Sequence, residues 1–168
     1  SLGQFKASEK YIDLIHKVSQ KNNSNPNFLA GMVAQESGFN PRAVSWARAI
    51  GLTQMTPLAE EQVLEDVKSW PRYPGINELS YLTLKSKILL GEITESKEWR
   101  LNPELSLTGG MAYINYLKKY WATEKNRNLI LTLDGNPHVF KTDLILASYN
   151  SGAARVKRAI AKYVKETY

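Results

Sequence analysis

The sequence predicts a single, mostly α-helical domain, and three observations point to this fold class. Apolar residues recur at three- and four-residue steps along most of the chain, which is the pattern of amphipathic helices. The chain has 168 residues, a length that fits one domain with a sizeable core. It contains no cysteine, so disulfides, zinc–thiolate sites and a thiol nucleophile are excluded. We therefore expect residues 1–168 to form one domain.

Helix boundary signals define the elements in order. Tyr11, Leu14 and Val18 belong to the apolar stripe of the first helix. The second helix has Asn25 as its N-cap, and Gly38 ends it. The same kinds of signal place helices, in chain order, at residues 5–20, 26–37, from 57 onwards, 77–93, 103–121, 143–150 and 153–166.

Two segments lack the helical pattern. We expect an ordered loop at residues 41–54, where apolar residues follow neither the helical nor the strand period. A small β-hairpin is predicted further on, because two short apolar runs, 129–131 and 138–140, flank the turn sequence Asp134-Gly135-Asn136-Pro137.

Composition and charge indicate which classes of ligand this protein is expected to bind. The formal net charge of +6 favours contact with polyanions such as nucleic acid, acidic lipid or an anionic cell-wall polymer. No apolar run approaches the roughly 18 residues of a membrane span, and residues 1–4 lack the features of a signal peptide. His16 and His138 do not have metal-ligand spacing, and no glycine-rich phosphate loop is present. We therefore expect neither a metal nor a cofactor.

Glu36 is the residue most suggestive of chemistry. It continues the apolar stripe of Leu29, Met32 and Val33, so its carboxylate is expected to be partly desolvated. It also lies in the last turn of its helix, where the negative end of the helix dipole disfavours an anion. Both effects raise the pKa of Glu36, which suits a general acid near neutral pH. Position alone leaves a second interpretation open, a surface glutamate at a fraying helix end.

Three sequence blocks carry a more specific signal. The first is Glu-Ser-Gly-Phe-Asn-Pro at residues 36–41, followed by Ser45 and by Gly-Leu-Thr-Gln at residues 51–54. The second is Asn-Pro-Glu at residues 102–104, and the third is Ser-Tyr-Asn-Ser-Gly at residues 148–152. In this order and spacing, the blocks resemble the catalytic core of lytic transglycosylases of the soluble Slt type. The resemblance implies the goose-type lysozyme fold.

The resemblance also implies a role for each matching residue. Glu36 corresponds to the sole catalytic acid, which later acts as the base. Ser45 and Gln54 fall on positions that line the sugar-binding cleft of that family. Tyr149 matches a tyrosine whose hydroxyl lies near the catalytic glutamate, and Asn150 matches its neighbour in the cleft.

Residue chemistry leaves structural alternatives open for several of these side chains. Tyr149 is also consistent with a core aromatic residue, Asn150 with a helix C-terminal residue, and Gln54 with a loop-bracing amide. The tyrosines on one face of the helix at 103–121 are expected to belong to the core rather than to a ligand platform. Trp46 lies inside the active-site loop, and we expect it to contact substrate.

The implied reaction cleaves peptidoglycan glycan strands without water. Glu36 protonates the glycosidic oxygen between N-acetylmuramic acid and N-acetylglucosamine, and the substrate's acetamido group stabilises the cationic sugar. The glutamate then takes the proton of the muramyl C6 hydroxyl, which closes a 1,6-anhydro ring. Ordinary glycosidases use two carboxylates. The sequence has no acidic residue between Asp13 and Glu60 except Glu36, in agreement with a one-acid mechanism.

Three other functions stay open. A hydrolytic muramidase or chitinase-like enzyme on the same fold would need a second carboxylate about 5–9.5 Å from Glu36. The candidates are Glu60, Glu61, Glu78 and Glu104. A non-catalytic glycan-binding module would keep the cleft and lack turnover. A nucleic-acid binder is suggested by the net charge alone.

The sequence departs from the family pattern in several places, including Thr56, Ser148 and Ser151. Arg48 stands where glycine is usual, and either contacts an anionic glycan or points into solvent. Thr53 stands where methionine or a similar apolar residue is usual. Residues 58–101 form a longer stretch than in compact members and are expected to add walls to the cleft. Because a cell-wall substrate implies export, we expect a monomer in the periplasm or cell envelope that acts on peptidoglycan and does not bind nucleic acid.

Overall fold

The computed structural model describes residues 8–134 and 141–167, and this part of the chain is mostly helical. The predicted fold class is therefore confirmed. The α-helices, in chain order, are α1 (Glu9–Lys21), α2 (Pro26–Ser37), α3 (Pro57–Gln62), α4 (Leu64–Val67), α5 (Tyr81–Leu89), α6 (Pro103–Ala122), α7 (Glu124–Asp134), α8 (Lys141–Ser151) and α9 (Ala153–Thr167). Two short 3-10 helices lie at Ile76–Glu78 and Trp99–Leu101. No helix among the described residues is long and apolar enough to span a membrane.

The boundaries of α2 follow from its caps, as predicted. The Asn25 side chain accepts a hydrogen bond from the backbone N–H of Asn27 at 2.9 Å, and Pro26 is the first helical residue. Gly38 ends the helix in the left-handed conformation, with φ 58°. Local sequence therefore fixes the residue at which α2 stops, and with it the place of Glu36 in the last turn.

The predicted helix at residues 77–93 is shorter in the structure. Ser80 caps α5, because its hydroxyl accepts a hydrogen bond from the backbone N–H of Thr83 at 3.2 Å. The residues before Ser80 form the 3-10 helix Ile76–Glu78 instead. Ser80 is a capping signal that helical periodicity alone does not reveal, and it sets the start of the helix that carries Tyr81.

The predicted hairpin is wrong in its first strand, since residues 129–131 lie within α7. Three consecutive apolar residues fit a strand or a helix equally well. The burial pattern of the segment is helical: Asn126 and Ile130, four residues apart, are both 4% exposed, while Leu131 is 39% exposed. The second predicted strand, residues 138–140, lies outside the described residues.

The chain divides between Ala112 and Tyr113 into two compact units. The N-terminal unit contains α1 to α5 and the first part of α6, and α1 packs against α2. A buried apolar cluster in this unit consists of Ile50, Ile76, Leu84, Ile88, Ile93 and Leu101. The C-terminal unit contains the rest of α6 and α7 to α9, with α9 packed against α7 and α8.

A buried ionic cluster holds the long stretch 58–101 of the N-terminal unit together. The Arg100 Nε lies 2.7 Å from Oε1 of Glu98 and 3.5 Å from Oε2 of Glu60, and all three side chains are at most 1% exposed. The Trp99 indole N–H donates to Oε2 of Glu60 at 2.8 Å. Asn77 joins the cluster, because its amide donates to Glu60 and accepts from Arg100, both at 3.1 Å. Because these side chains are buried, each of these partners is necessary to the others.

Candidate active site

Glu36 lies in the last turn of α2 and is half-buried. Desolvation by burial raises the pKa of its carboxyl group above the usual 4.5. Among residues 8–134 and 141–167, no lysine, arginine or histidine forms an ion pair with this carboxylate. Its neutral form is therefore favoured relative to an exposed glutamate, which is the property that a general acid requires.

The end of α2 is tied directly to the following loop. The Ser37 hydroxyl lies 2.8 Å from the carbonyl oxygen of Leu52 and 3.1 Å from that of Val33, and it donates to them. Gly38 and Phe39 both have positive φ values, 58° and 62°, so the chain turns sharply after the helix. The position of Glu36 relative to the loop is thus set by its immediate neighbour in the sequence.

The loop at residues 43–55 is braced by its own backbone and by Gln54. Isolated antiparallel bridges join Val44 to Ile50 and Ile50 to Met55. The Gln54 amide donates to the carbonyl oxygens of Ala43 at 3.1 Å and Gly51 at 3.0 Å, and its side chain is mostly buried. The loop-bracing alternative for Gln54 is therefore correct, and its contact with sugar stays a prediction.

Ser45 closes the tight turn that presents Trp46. The backbone N–H of Ser45 donates to the carbonyl oxygen of Ala49 at 3.0 Å, and the Ser45 hydroxyl accepts from the backbone N–H of Ala49 at 3.1 Å. Trp46 is 79% exposed, and its ring packs against Tyr81. Substrate contact by Ser45 and Trp46 stays a prediction.

Arg48 does not simply point into solvent, and its contact with an anionic glycan stays a prediction. Its Nη1 donates to the carbonyl oxygen of Asn77, so the side chain links the loop to the 3-10 helix Ile76–Glu78. Its φ of 61° is left-handed, a conformation that favours glycine and so explains why glycine is usual at this position. The arginine side chain supplies a tether that glycine cannot.

Thr53 replaces the usual apolar residue without leaving a polar group unpaired. Its hydroxyl donates to the carbonyl oxygen of Ser106 at 2.9 Å, and its side chain is fully buried. A Cβ at Gly110 would lie 2.7 Å from the Thr53 methyl carbon, so glycine at 110 makes room for the threonine. The loop is therefore anchored to α6 by a hydrogen bond as well as by packing.

Gly51→Ala is expected to destabilise the protein by about 2 kcal/mol or more, because alanine is strained at positive φ and its Cβ would clash. Gly51 has φ 85°, and a Cβ there would lie 1.9 Å from the carbonyl oxygen of Arg100. Urea unfolding measures the loss. Gly31→Ala is the matched control: a Cβ there meets nothing within 4 Å, and alanine in a helix should add stability. Equal stability of the two variants would contradict the close approach at Gly51.

Tyr149 and Asn150, the predicted site residues of the C-terminal unit, lie in α8. Tyr149 is 8% exposed, and its ring centroid lies 5.2 Å from that of Tyr113. Burial, with a smaller contribution from Tyr116, raises the pKa of Tyr113 to about 12, so the phenol stays protonated. Asn150 is exposed. The roles of Tyr149 and Asn150 at the site stay predictions.

Ser148 and the tyrosine stripe of α6 are mainly structural. The Ser148 hydroxyl is fully buried and accepts a hydrogen bond from the Trp121 indole N–H at 2.9 Å. In the stripe, Tyr113 is 4% exposed, and Tyr116 and Tyr120 are half-buried. The expectation that this stripe belongs to the core thus holds for Tyr113 and in part for the other two.

Two of the candidate second carboxylates are already engaged. Burial disfavours the Glu60 carboxylate, but Arg100 and the hydrogen bonds from Arg72 and Trp99 outweigh that effect and lower its pKa. Glu104 forms an ion pair with Lys17 at 2.6 Å. Neither carboxylate has the raised pKa of Glu36. Among the described residues, no group of three or more His, Cys, Asp or Glu could hold a metal ion.

The mostly α fold, with a desolvated glutamate in the last turn of α2 before a braced loop, is of the lysozyme-like class. Residues 13–167 match the Transglycosylase SLT domain, and the chain belongs to this family. The resemblance proposed from the three sequence blocks is thereby confirmed.

Curated relatives agree with the family assignment. The chain is 30% identical over 154 residues to the membrane-bound lytic murein transglycosylase C of Histophilus somni strain 2336, covering 90% of this chain and 33% of the relative. Proteins of the same name from Haemophilus influenzae strain PittEE and Actinobacillus succinogenes are each 27% identical, over 90% and 92% of this chain and 34% of either relative. The chain thus spans about a third of the length of the curated relatives it matches.

The raised pKa of Glu36 predicts the pH dependence of activity. A general acid must be protonated, so kcat/KM should fall as the pH rises through the pKa of Glu36. We expect the midpoint of this alkaline limb to lie above 4.5, the usual pKa of a glutamate. Initial rates of glycan cleavage across the pH range measure it. A limb centred at or below that value would show that another group supplies the proton.

Proposed function

We propose that this protein is a peptidoglycan lytic transglycosylase in which Glu36 serves as the acid and then as the base. The observation that carries the proposal is the desolvated carboxyl group of Glu36, which lies in the last turn of α2 before the hydrogen-bonded loop and has no ion-pair partner among the described residues. Membership of the Transglycosylase SLT domain family and the murein transglycosylase names of the relatives support it.

In the proposed reaction Glu36 first donates a proton and then takes one up. Glu36 protonates the oxygen of the β-1,4 bond between N-acetylmuramic acid and N-acetylglucosamine, and this C1–O bond breaks. The acetamido group of the muramyl unit stabilises the positive charge at C1. The Glu36 carboxylate then removes the C6 hydroxyl proton, and the C6 oxygen bonds to C1. The products are a free 4-hydroxyl group and a 1,6-anhydromuramic acid end, and Glu36 is protonated again.

The remaining site assignments belong to the same proposal. Ser45, Trp46, Gln54, Tyr149 and Asn150 bind the glycan strand, as the family resemblance implies. Residues 1–168 act as one catalytic domain, which the family match over residues 13–167 supports. The domain works as a monomer in the periplasm or cell envelope, where its proposed substrate lies.

Mass spectrometry of purified peptidoglycan digested with the protein tests the proposal. Products ending in 1,6-anhydromuramic acid are lighter by one water than products of hydrolysis, so the two reactions are distinguished directly. We expect anhydro ends. Reducing ends would instead identify a hydrolase. Binding to peptidoglycan without any cleavage would identify a glycan-binding module.

A further inference from the structure

We propose that Trp46, Tyr81 and Lys85 form a binding platform for a sugar ring that carries an anionic substituent. The muramyl unit of peptidoglycan with its peptide stem has this chemistry, so the proposal deepens the proposed function and rests on it. Tyr81 and Lys85 belong to α5, in the long stretch 58–101, and neither is among the site residues predicted from the sequence.

The aromatic part of the platform consists of two packed rings, of which the Trp46 ring is largely exposed. The ring centroids of Trp46 and Tyr81 lie 4.1 Å apart, with an angle of 31° between the ring planes. Trp46 is nevertheless 79% exposed, so Tyr81 supports one face of the indole while the rest is open to solvent. An exposed aromatic face is covered by water, and burying it against an apolar surface of a ligand is favourable. The C–H face of a pyranose ring is such a surface.

The platform is held in place before any ligand arrives. The turn that presents Trp46 is closed by the two hydrogen bonds between Ser45 and Ala49. Arg48, also in this turn, donates to the carbonyl oxygen of Asn77, shortly before α5 begins. One tether thus joins the segments that carry Trp46 and Tyr81. A preformed site lowers the entropic cost of ordering side chains on binding.

Lys85 adds a positive charge at the edge of this platform. Its Nζ lies 3.1 Å from the phenolic oxygen of Tyr81 and 5.5 Å from the centroid of the Tyr81 ring. Among the described residues, no carboxylate forms an ion pair with it, and the side chain is exposed. The ammonium group keeps N–H donors for a ligand carboxylate. The pair of aromatic rings selects a sugar, and Lys85 selects one that is anionic.

Acrylamide quenching of tryptophan fluorescence tests the platform in a Glu36→Gln background, where turnover does not interfere. The two probes are soluble peptidoglycan glycan fragments that carry peptide stems and chitotetraose, a neutral sugar. We expect the charged fragments to protect Trp46 from the quencher. A Trp46→Phe variant identifies that signal, because Trp99 and Trp121 are buried and the half-buried Trp70 is common to both proteins.

Affinities of further variants separate the two parts of the platform. Trp46→Ala and Tyr81→Ala should each weaken binding of both probes about tenfold, as expected for loss of an aromatic contact at a binding site. Lys85→Gln should weaken only the charged fragments, by about two- to fivefold, and this loss should disappear at high salt. Leu89→Ala, on the same helix, and Lys68→Gln, another exposed lysine, are the matched controls.

The results distinguish failure of the platform from failure of the proposed function. If Trp46→Ala in the Glu36→Gln background binds both probes with an affinity within twofold of that of the Glu36→Gln protein, the platform is overturned. Anhydro products of the wild-type protein would still support the proposed function. If the wild-type protein gives no anhydro products, the proposed function fails. Protection of Trp46 by the charged fragments would then still establish the platform as a sugar site.

Discussion

Glu36→Gln is expected to lower the rate of peptidoglycan cleavage by about 10²–10⁴-fold, the usual contribution of general acid–base catalysis. Glutamine matches the shape of glutamate but has no acidic proton to give to the glycosidic oxygen. Because Glu36 is proposed as both acid and base, neither step has a replacement. Release of soluble fragments from purified peptidoglycan, followed over time, measures the effect.

The stability of the same variant separates a catalytic role from a structural one. Burial raises the pKa of Glu36 in the folded state, so ionisation of this carboxyl group lowers stability as the pH rises from the unfolded-state pKa through the folded-state pKa, and the loss is constant at higher pH. A neutral amide removes this effect, and Glu36→Gln should unfold at the same temperature as the wild-type protein or higher. Glu61→Gln, at an exposed glutamate of α3, is the control and should keep full activity. Cleavage by Glu36→Gln within tenfold of the wild-type rate would show that Glu36 is not the acid.

The parts of the site that the sequence predicts are those fixed by short-range interactions. The N-cap at Asn25 and the left-handed Gly38 set both ends of α2, and these signals lie within the sequence of the helix itself. The apolar stripe then places Glu36 at the edge of the core. Its partial burial follows from helical periodicity alone, so the direction of its pKa shift is predictable from the amino-acid sequence.

The parts that the sequence does not predict depend on contacts between distant residues. Arg48 bonds to Asn77, 29 positions further along the chain, and no pattern near either residue indicates the pair. In the sequence, Glu60 has the position of an ordinary acidic residue in the first turn of a helix. In the structure, its carboxylate is buried and accepts hydrogen bonds from Arg72 and Trp99. The incorrect strand at residues 129–131 has the same origin, because a three-residue apolar run does not show which period its neighbours will follow.

Arg100→Met is expected to destabilise the protein by about 3–5 kcal/mol, the usual cost of removing one partner of a buried ion pair. The substitution leaves the carboxylates of Glu98 and Glu60 in the core without the Arg100 cation, and Glu98 is fully buried. Urea unfolding at neutral pH measures the loss. Lys68→Met, which breaks the exposed pair with Glu65, should cost at most about 1 kcal/mol.

Lower pH should reduce the difference between Arg100→Met and the wild-type protein. Without Arg100, Glu60 loses the cation that contributes most to lowering its folded-state pKa, so protonation of its carboxyl group at low pH costs the variant less stability than it costs the wild-type protein. In the wild-type protein the pKa of Glu60 is lowered, so its contribution is present above the unfolded-state pKa and is lost as the pH falls. A difference in stability that stays constant with pH would indicate lost packing rather than uncompensated charge.

Since Asn77 bonds to both Arg100 and Arg48, the same variant should also loosen the turn that presents Trp46.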